Sequence, residues 1–195
     1  MDKSSKLITN NTFLMNSINF DAFGVSKNWI GYFEHHGAFD YSVIDTAIEI
    51  VKTFFNNHWK NFFSISALSY SDDKETDDRM GSDYVDIYNN LKKMGYLRPY
   101  TKQLEDYLYG DIPLPASCLS IHFDSKYFFD ISKLMMGHDG VIGQVVFFIN
   151  LEIGVALYPH DDIGFGIISL NPDSDICNEF LKFVDKYNSI FKVVR

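Results

Sequence analysis

Between Asp40 and His58 apolar residues return every three or four positions, at Ile44, Ala47, Ile48, Val51, Phe54 and Phe55. That spacing puts them on one face of a helix, and Asp40 stands where an N-cap carboxylate is favoured. From Asn61 to Tyr70 the period changes to two, with Phe63, Ile65 and Ala67 against Ser64, Ser66 and Leu68, the pattern of a strand. A second helix is expected on Tyr84, Val85, Ile87, Tyr88, Leu91 and Met94, closing at Gly95. Pro99 and Pro113 frame a shorter segment around Leu104 and Tyr107, expected outside the sheet.

Alternation returns over Ala116–Asp124, with Cys118, Ser120 and His122 on one side and Leu119, Ile121 and Phe123 on the other. A short helix is expected at Phe128–Met136. After the turn signal His138-Asp139-Gly140, the runs Val141–Asn150, Ile153–Tyr158 and Phe165–Leu170 are spaced as consecutive antiparallel strands. A closing helix is expected from about Asp173 to Phe191, with Ile176, Phe180, Val184, Tyr187 and Phe191 inward and Asp173 and Asp175 in its first turn. Residues 1–28, broken by Asn10, Asn11, Asn16 and Asn19, read as an irregular N-terminal lead-in. Residues 29–195 read as one α+β domain, a central and largely antiparallel sheet flanked by helices.

Composition adds a partner's sign. Of the 195 residues 46% are apolar and 22% charged, enough to bury a core without staples. The 18 Phe and 12 Tyr exceed what a core requires, which places some tyrosines at the surface as interface residues. A net charge of -9 opposes nucleic-acid phosphate and anionic lipid and favours basic proteins. Direct nucleic-acid binding and membrane attachment are therefore not expected. Cys118 and Cys177 lie far apart, outside metal spacing, and read as small buried apolar residues. Residues 1–20 lack the continuous apolar stretch of a signal peptide, so the cytoplasm is the expected compartment.

Three places hold acid–base or ligand chemistry. Glu34-His35-His36 sets imidazole beside carboxylate, although neighbours on a strand face opposite ways and a polar turn explains the same residues. The segment Tyr158-Pro159-His160-Asp161-Asp162-Ile163-Gly164 offers one imidazole and two carboxylates between strands, equally a hairpin turn. His122 and Asp124, two apart, share one side of a strand. Neither a nucleophile elbow nor a phosphate-binding glycine loop is present. No catalytic residue, bound metal or cofactor is therefore assigned. A small metal-dependent hydrolase using His122, Asp124, His160, Asp161 and Asp162 is kept as the alternative.

The densest charge run is Asp72, Asp73, Glu75, Asp77 and Asp78, flanked by Tyr70, Tyr84 and Tyr88. Carboxylates steer a basic partner and rings anchor it. Asp72, Asp73, Glu75, Asp77, Asp78 and Tyr84 are the first expected partner contacts, with Asp161 and Asp162 as the second.

From Trp29 onward, Val146-Phe147-Phe148-Ile149-Asn150, the stretch Ala156–Gly164 and Lys186-Tyr187-Asn188 resemble an uncharacterised bacterial domain family. That family carries an aromatic followed by Asp-Asp-Arg-Gly between two strands. Asp161, Asp162 and Gly164 match; His160 replaces the aromatic and Ile163 the Arg. In size, acidity and aromatic content the chain also resembles immunity proteins of polymorphic toxin and contact-dependent growth inhibition systems. That resemblance implies a cytoplasmic protein, not an enzyme, that binds and neutralises a cognate toxin domain, a nuclease being the expected kind.

Overall fold

The computed structural model describes residues 17–71, 82–137, 140–171 and 174–195. Its strands are β1 (Trp29–His35), β2 (Phe63–Tyr70), β3 (Arg98–Pro99), β4 (Ser120–His122), β5 (Ile142–Asn150), β6 (Val155–His160), β7 (Gly164–Ser169) and β8 (Phe191–Val194). Its α-helices are α1 (Tyr41–Phe54), α2 (Ser82–Lys93), α3 (Lys102–Tyr109), α4 (Phe128–Gly137) and α5 (Ile176–Val184). Eight described strands form one sheet in the order β3-β2-β5-β6-β7-β1-β8, with β4 also paired to β2. All pairings are antiparallel except β2 with β3, so the fold is α+β.

Local chemistry sets the helix ends. Asp40 caps α1 by accepting from the Ser42 backbone N–H at 2.8 Å, which holds its carboxyl below the usual range. Gly95 closes α2 at φ 77°, and the Gly95 and Tyr96 amides return to the carbonyls of Lys92 and Leu91. Thr101 caps α3 through the Leu104 amide.

Both faces of the sheet are covered. Helices α1, α2, α4 and α5 pack on one face around Phe33, Phe128, Phe148, Phe165 and Phe180. The second face is closed by α3, the 110–119 connection and residues 18–23, packing on Phe63, Phe147, Ile149, Tyr158 and Ile168. This double cover explains the continuous apolar runs of β5–β7, because most of both faces of those strands is shielded from water.

The structure corrects several expectations. The lead-in belongs to the domain from at least Ile18, which is 3% exposed, and Phe20 and Phe23 meet the Phe147 ring edge-on. Pro99, which opens the segment expected outside the sheet, pairs with Tyr70, next to Arg98 opposite Ser69. Within Ala116–Asp124 only Ser120–His122 is strand. The closing helix stops at Val184, and Phe191, although at helical spacing, opens β8 opposite His35. Both cysteines are buried, as expected, and burial pushes the Cys177 thiol up to about 12. No described helix is long and apolar enough to cross a membrane.

Candidate functional site

Pairing of β1 with β7 brings together two segments that lie far apart in sequence. Phe33 faces Phe165 across the two strands, and the tip of the β6–β7 hairpin lands beside Glu34 and His35. Two hydrogen bonds fix it there. His160 Nε2–H donates to the Phe33 carbonyl at 3.0 Å, and the His35 amide donates to the Asp162 carbonyl at 2.9 Å.

Glycines make the approach possible. A methyl group at Gly164 would sit 1.8 Å from the Phe33 oxygen, and one at Gly166 would sit 1.9 Å from Tyr158 Cζ. The rings of His160 and Tyr158 therefore reach across β7, where Tyr158 accepts from Trp29 Nε1 at 2.9 Å. Tyr32 meets His160 edge-on at 5.3 Å.

The hairpin is the turn its sequence suggests, with one unexpected feature. The positive backbone angle falls on Ile163, at φ 50°, and not on Gly164. A β-branched residue rarely adopts this conformation. Ile163 holds it while only 2% exposed, its side chain sunk in the helix-side core.

One atom each from His160, Asp161 and Asp162 lies within 4.8 Å of the others, a spacing that suits a cation. Asp161 and Asp162 are exposed and His160 half-buried. Burial lowers the His160 pKa, against the Phe33 hydrogen bond and the charges of Asp162, Asp161 and Glu34, which raise it. Glu34 also meets Lys192 at 3.6 Å. His35 and His36 are engaged by backbone: the His35 nitrogens lie 2.9 Å from the Ile190 and Ala38 carbonyls, and His36 Nε2 lies 3.3 Å from that of Asn188.

His122 and Asp124 do not join this cluster. They lie at the sheet's other side, beyond β2 and β5, and His122 points to the helix-covered face while His160 lies on the opposite one. His122 stacks on Tyr96 at 3.9 Å. Asp124 lies beyond the strand and caps the following turn through the Lys126 amide. Directly across from His122 is Ser64, and the Ser64, Ser66 and His122 Nε2 polar atoms are buried with no partner among the described residues. The five residues of the hydrolase alternative thus divide between two places.

Of the expected partner contacts, Asp72, Asp73, Glu75, Asp77 and Asp78 lie outside the described residues. Tyr88 is core, 1% exposed, and Tyr70 is half-buried beneath Lys92. Tyr84 is half-buried and packs against Tyr41 at 5.3 Å, and Tyr41 meets Phe39 edge-on at 4.9 Å. Phe39 and Tyr41 are 53% and 48% exposed. Sequence reasoning missed both, since they fall before the periodic part of α1. Residues 35–41 consequently connect Asp162 at one end with Tyr84 at the other.

Comparison with protein-family models, curated proteins and solved structures finds no match.

Proposed function

We propose that this domain is a non-enzymatic binding protein that captures a basic protein partner, as an immunity protein neutralises its toxin. The observation that carries the reading is the exposed Phe39–Tyr41 pair, seated on Tyr84 and continuous through residues 35–41 with the Asp161-Asp162 hairpin. Exposed adjoining rings anchor an interface, and carboxylates around them steer a basic surface toward it. In the sequence the acidic run 72–78 precedes Tyr84 by a few residues. A nuclease toxin suits such a surface, because its substrate cleft must be basic to hold phosphate.

Co-expression of the tagged chain with its neighbouring genes tests the reading. A stoichiometric basic domain should co-purify, and that domain expressed alone should stop growth. Phe39→Ser with Tyr41→Ser should weaken the complex at least about tenfold, as loss of a hot spot does, while leaving the unfolding midpoint unchanged. Capture of no basic protein, or retention by the double variant at full affinity, would overturn it.

A second reading rests on the His160, Asp161 and Asp162 spacing, which offers three protein ligands and room for solvent, the pattern of a reactive metal site. The bond from His160 Nε2–H to Phe33 leaves Nδ1 as the ligand atom. Calorimetric titration with zinc and manganese decides it: stoichiometric binding lost in Asp162→Asn favours the metal site, and no heat rejects it.

A further inference from the structure

On the face of the sheet away from α1, α2, α4 and α5, two adjoining hollows of about 570 and 540 Å³ share Asp21, Tyr107 and Leu108. Together they form one groove. Its floor is the start of β5, at Ile142 and Val145. One wall is the end of α3, and the other is the segment carrying Asp21 and Phe23.

The walls are braced. Tyr107 OH donates to the Phe20 carbonyl at 3.3 Å, and the Leu114 amide donates to Asp21 Oδ1 at 3.0 Å. Tyr109 stands on the rim at 82% exposure and Ile112 at 46%. Two carboxylates, Asp21 and Asp111, lie in the lining, and none of the described lining residues is Lys, Arg or His. Burial and the Asp21 charge both raise the Tyr107 pKa, so the phenol stays a neutral donor.

We infer that this groove receives a basic, partly apolar peptide segment of another protein, with an Arg or Lys side chain reaching Asp21 and Asp111. Such side chains lay apolar stems along apolar walls and keep their charge at the rim, where Tyr109 presents a ring face. An acidic peptide meets the like charges of Asp21 and Asp111 there and is repelled. The groove shares no lining residue with the Phe39–Tyr41 surface, so the inference stands apart from the proposed function.

The test is a nuclear magnetic resonance titration of the isotope-labelled full chain with capped Leu-Arg-Leu-Arg and with capped Leu-Glu-Leu-Glu. The basic peptide should shift residues 21–23, 107–113 and 141–145, and its affinity should fall as salt is raised. Asp111→Asn should weaken it up to about fivefold, and Asp21→Asn with Asp111→Asn about threefold to tenfold. Because Asp21 also braces the 114 amide, Tyr109→Ala provides an independent variant, expected to cost about twofold to fivefold.

The inference is overturned by equal shifts with both peptides, by shifts elsewhere, or by none at millimolar peptide. It is also overturned if contacts from residues 1–16 fill the groove without peptide. Concentration-dependent self-association abolished by Tyr109→Ala would assign the groove to a second copy instead, and equally overturn it.

Discussion

His160 reaches across Gly164 to donate to the carbonyl of Phe33, so a single side chain clamps the tip of the β6–β7 hairpin to β1. The clamp requires a bare α-carbon at 164. An added methyl meets backbone oxygen at 1.8 Å, and backbone, unlike a flexible side chain, cannot swing away. Gly164→Ala should cost about 1–3 kcal/mol, as overpacking does, measured as a lower urea midpoint. An unchanged midpoint would show that β7 slides freely against β1.

Acid should loosen the molecule at two histidines. Burial lowers the pKa of both His122 and His160 below the ordinary 6.5. Their neutral forms are therefore favoured by folding, and the stability they contribute is complete above pH 6.5 and is lost as pH falls through the folded values. Approach to the pI of about 5.0 relieves charge repulsion and acts the other way, so variants must be compared at matched pH. Between pH 7.5 and 5 the native chain should lose more stability than a His122→Phe, His160→Gln variant. Parallel pH profiles would contradict this.

Ser64 is only 4% exposed, and its hydroxyl has no partner among the described residues. A buried unpaired polar group costs about 1–3 kcal/mol. Ser64→Ala should therefore raise the urea midpoint, a rare gain from a core truncation. A lowered midpoint would show the hydroxyl to be hydrogen-bonded through bound water.

At Ile163 two effects compete. The left-handed backbone costs a non-glycine residue about 1–2 kcal/mol, whereas truncating a buried isoleucine costs about 2–5 kcal/mol. Burial wins, so Ile163→Gly should destabilise by about 1–3 kcal/mol, despite relieving the strain. A stabilised variant in thermal denaturation would reverse that ranking.

Much of the architecture was legible because it rests on local chemistry. The three- and four-residue spacing of Ile44, Ala47, Ile48 and Val51 marked α1, and Asp40 and Gly95 marked two helix ends. The alternation in Phe63–Tyr70 and the short turns after Asn150 and His160 marked β2 and the β5–β7 meander. The site was legible only in pieces. Glu34, His160, Asp161, Asp162 and Tyr84 each stood out as residue types, but nothing in their spacing says that Asp162 and Tyr84 adjoin opposite ends of residues 35–41.

What the sequence by itself determined is therefore the kind of each strong element, the α+β class and the acidic, aromatic composition. Tertiary structure alone decided which rings are buried, as Tyr88 is and Tyr41 is not, and that His122 and His160 occupy opposite faces. It also decided that Phe191 extends a sheet where its spacing suggested a helix. The physical reason is range: periodicity and capping act within a few residues, whereas face and partner are set by strand pairing and register between segments distant in the chain.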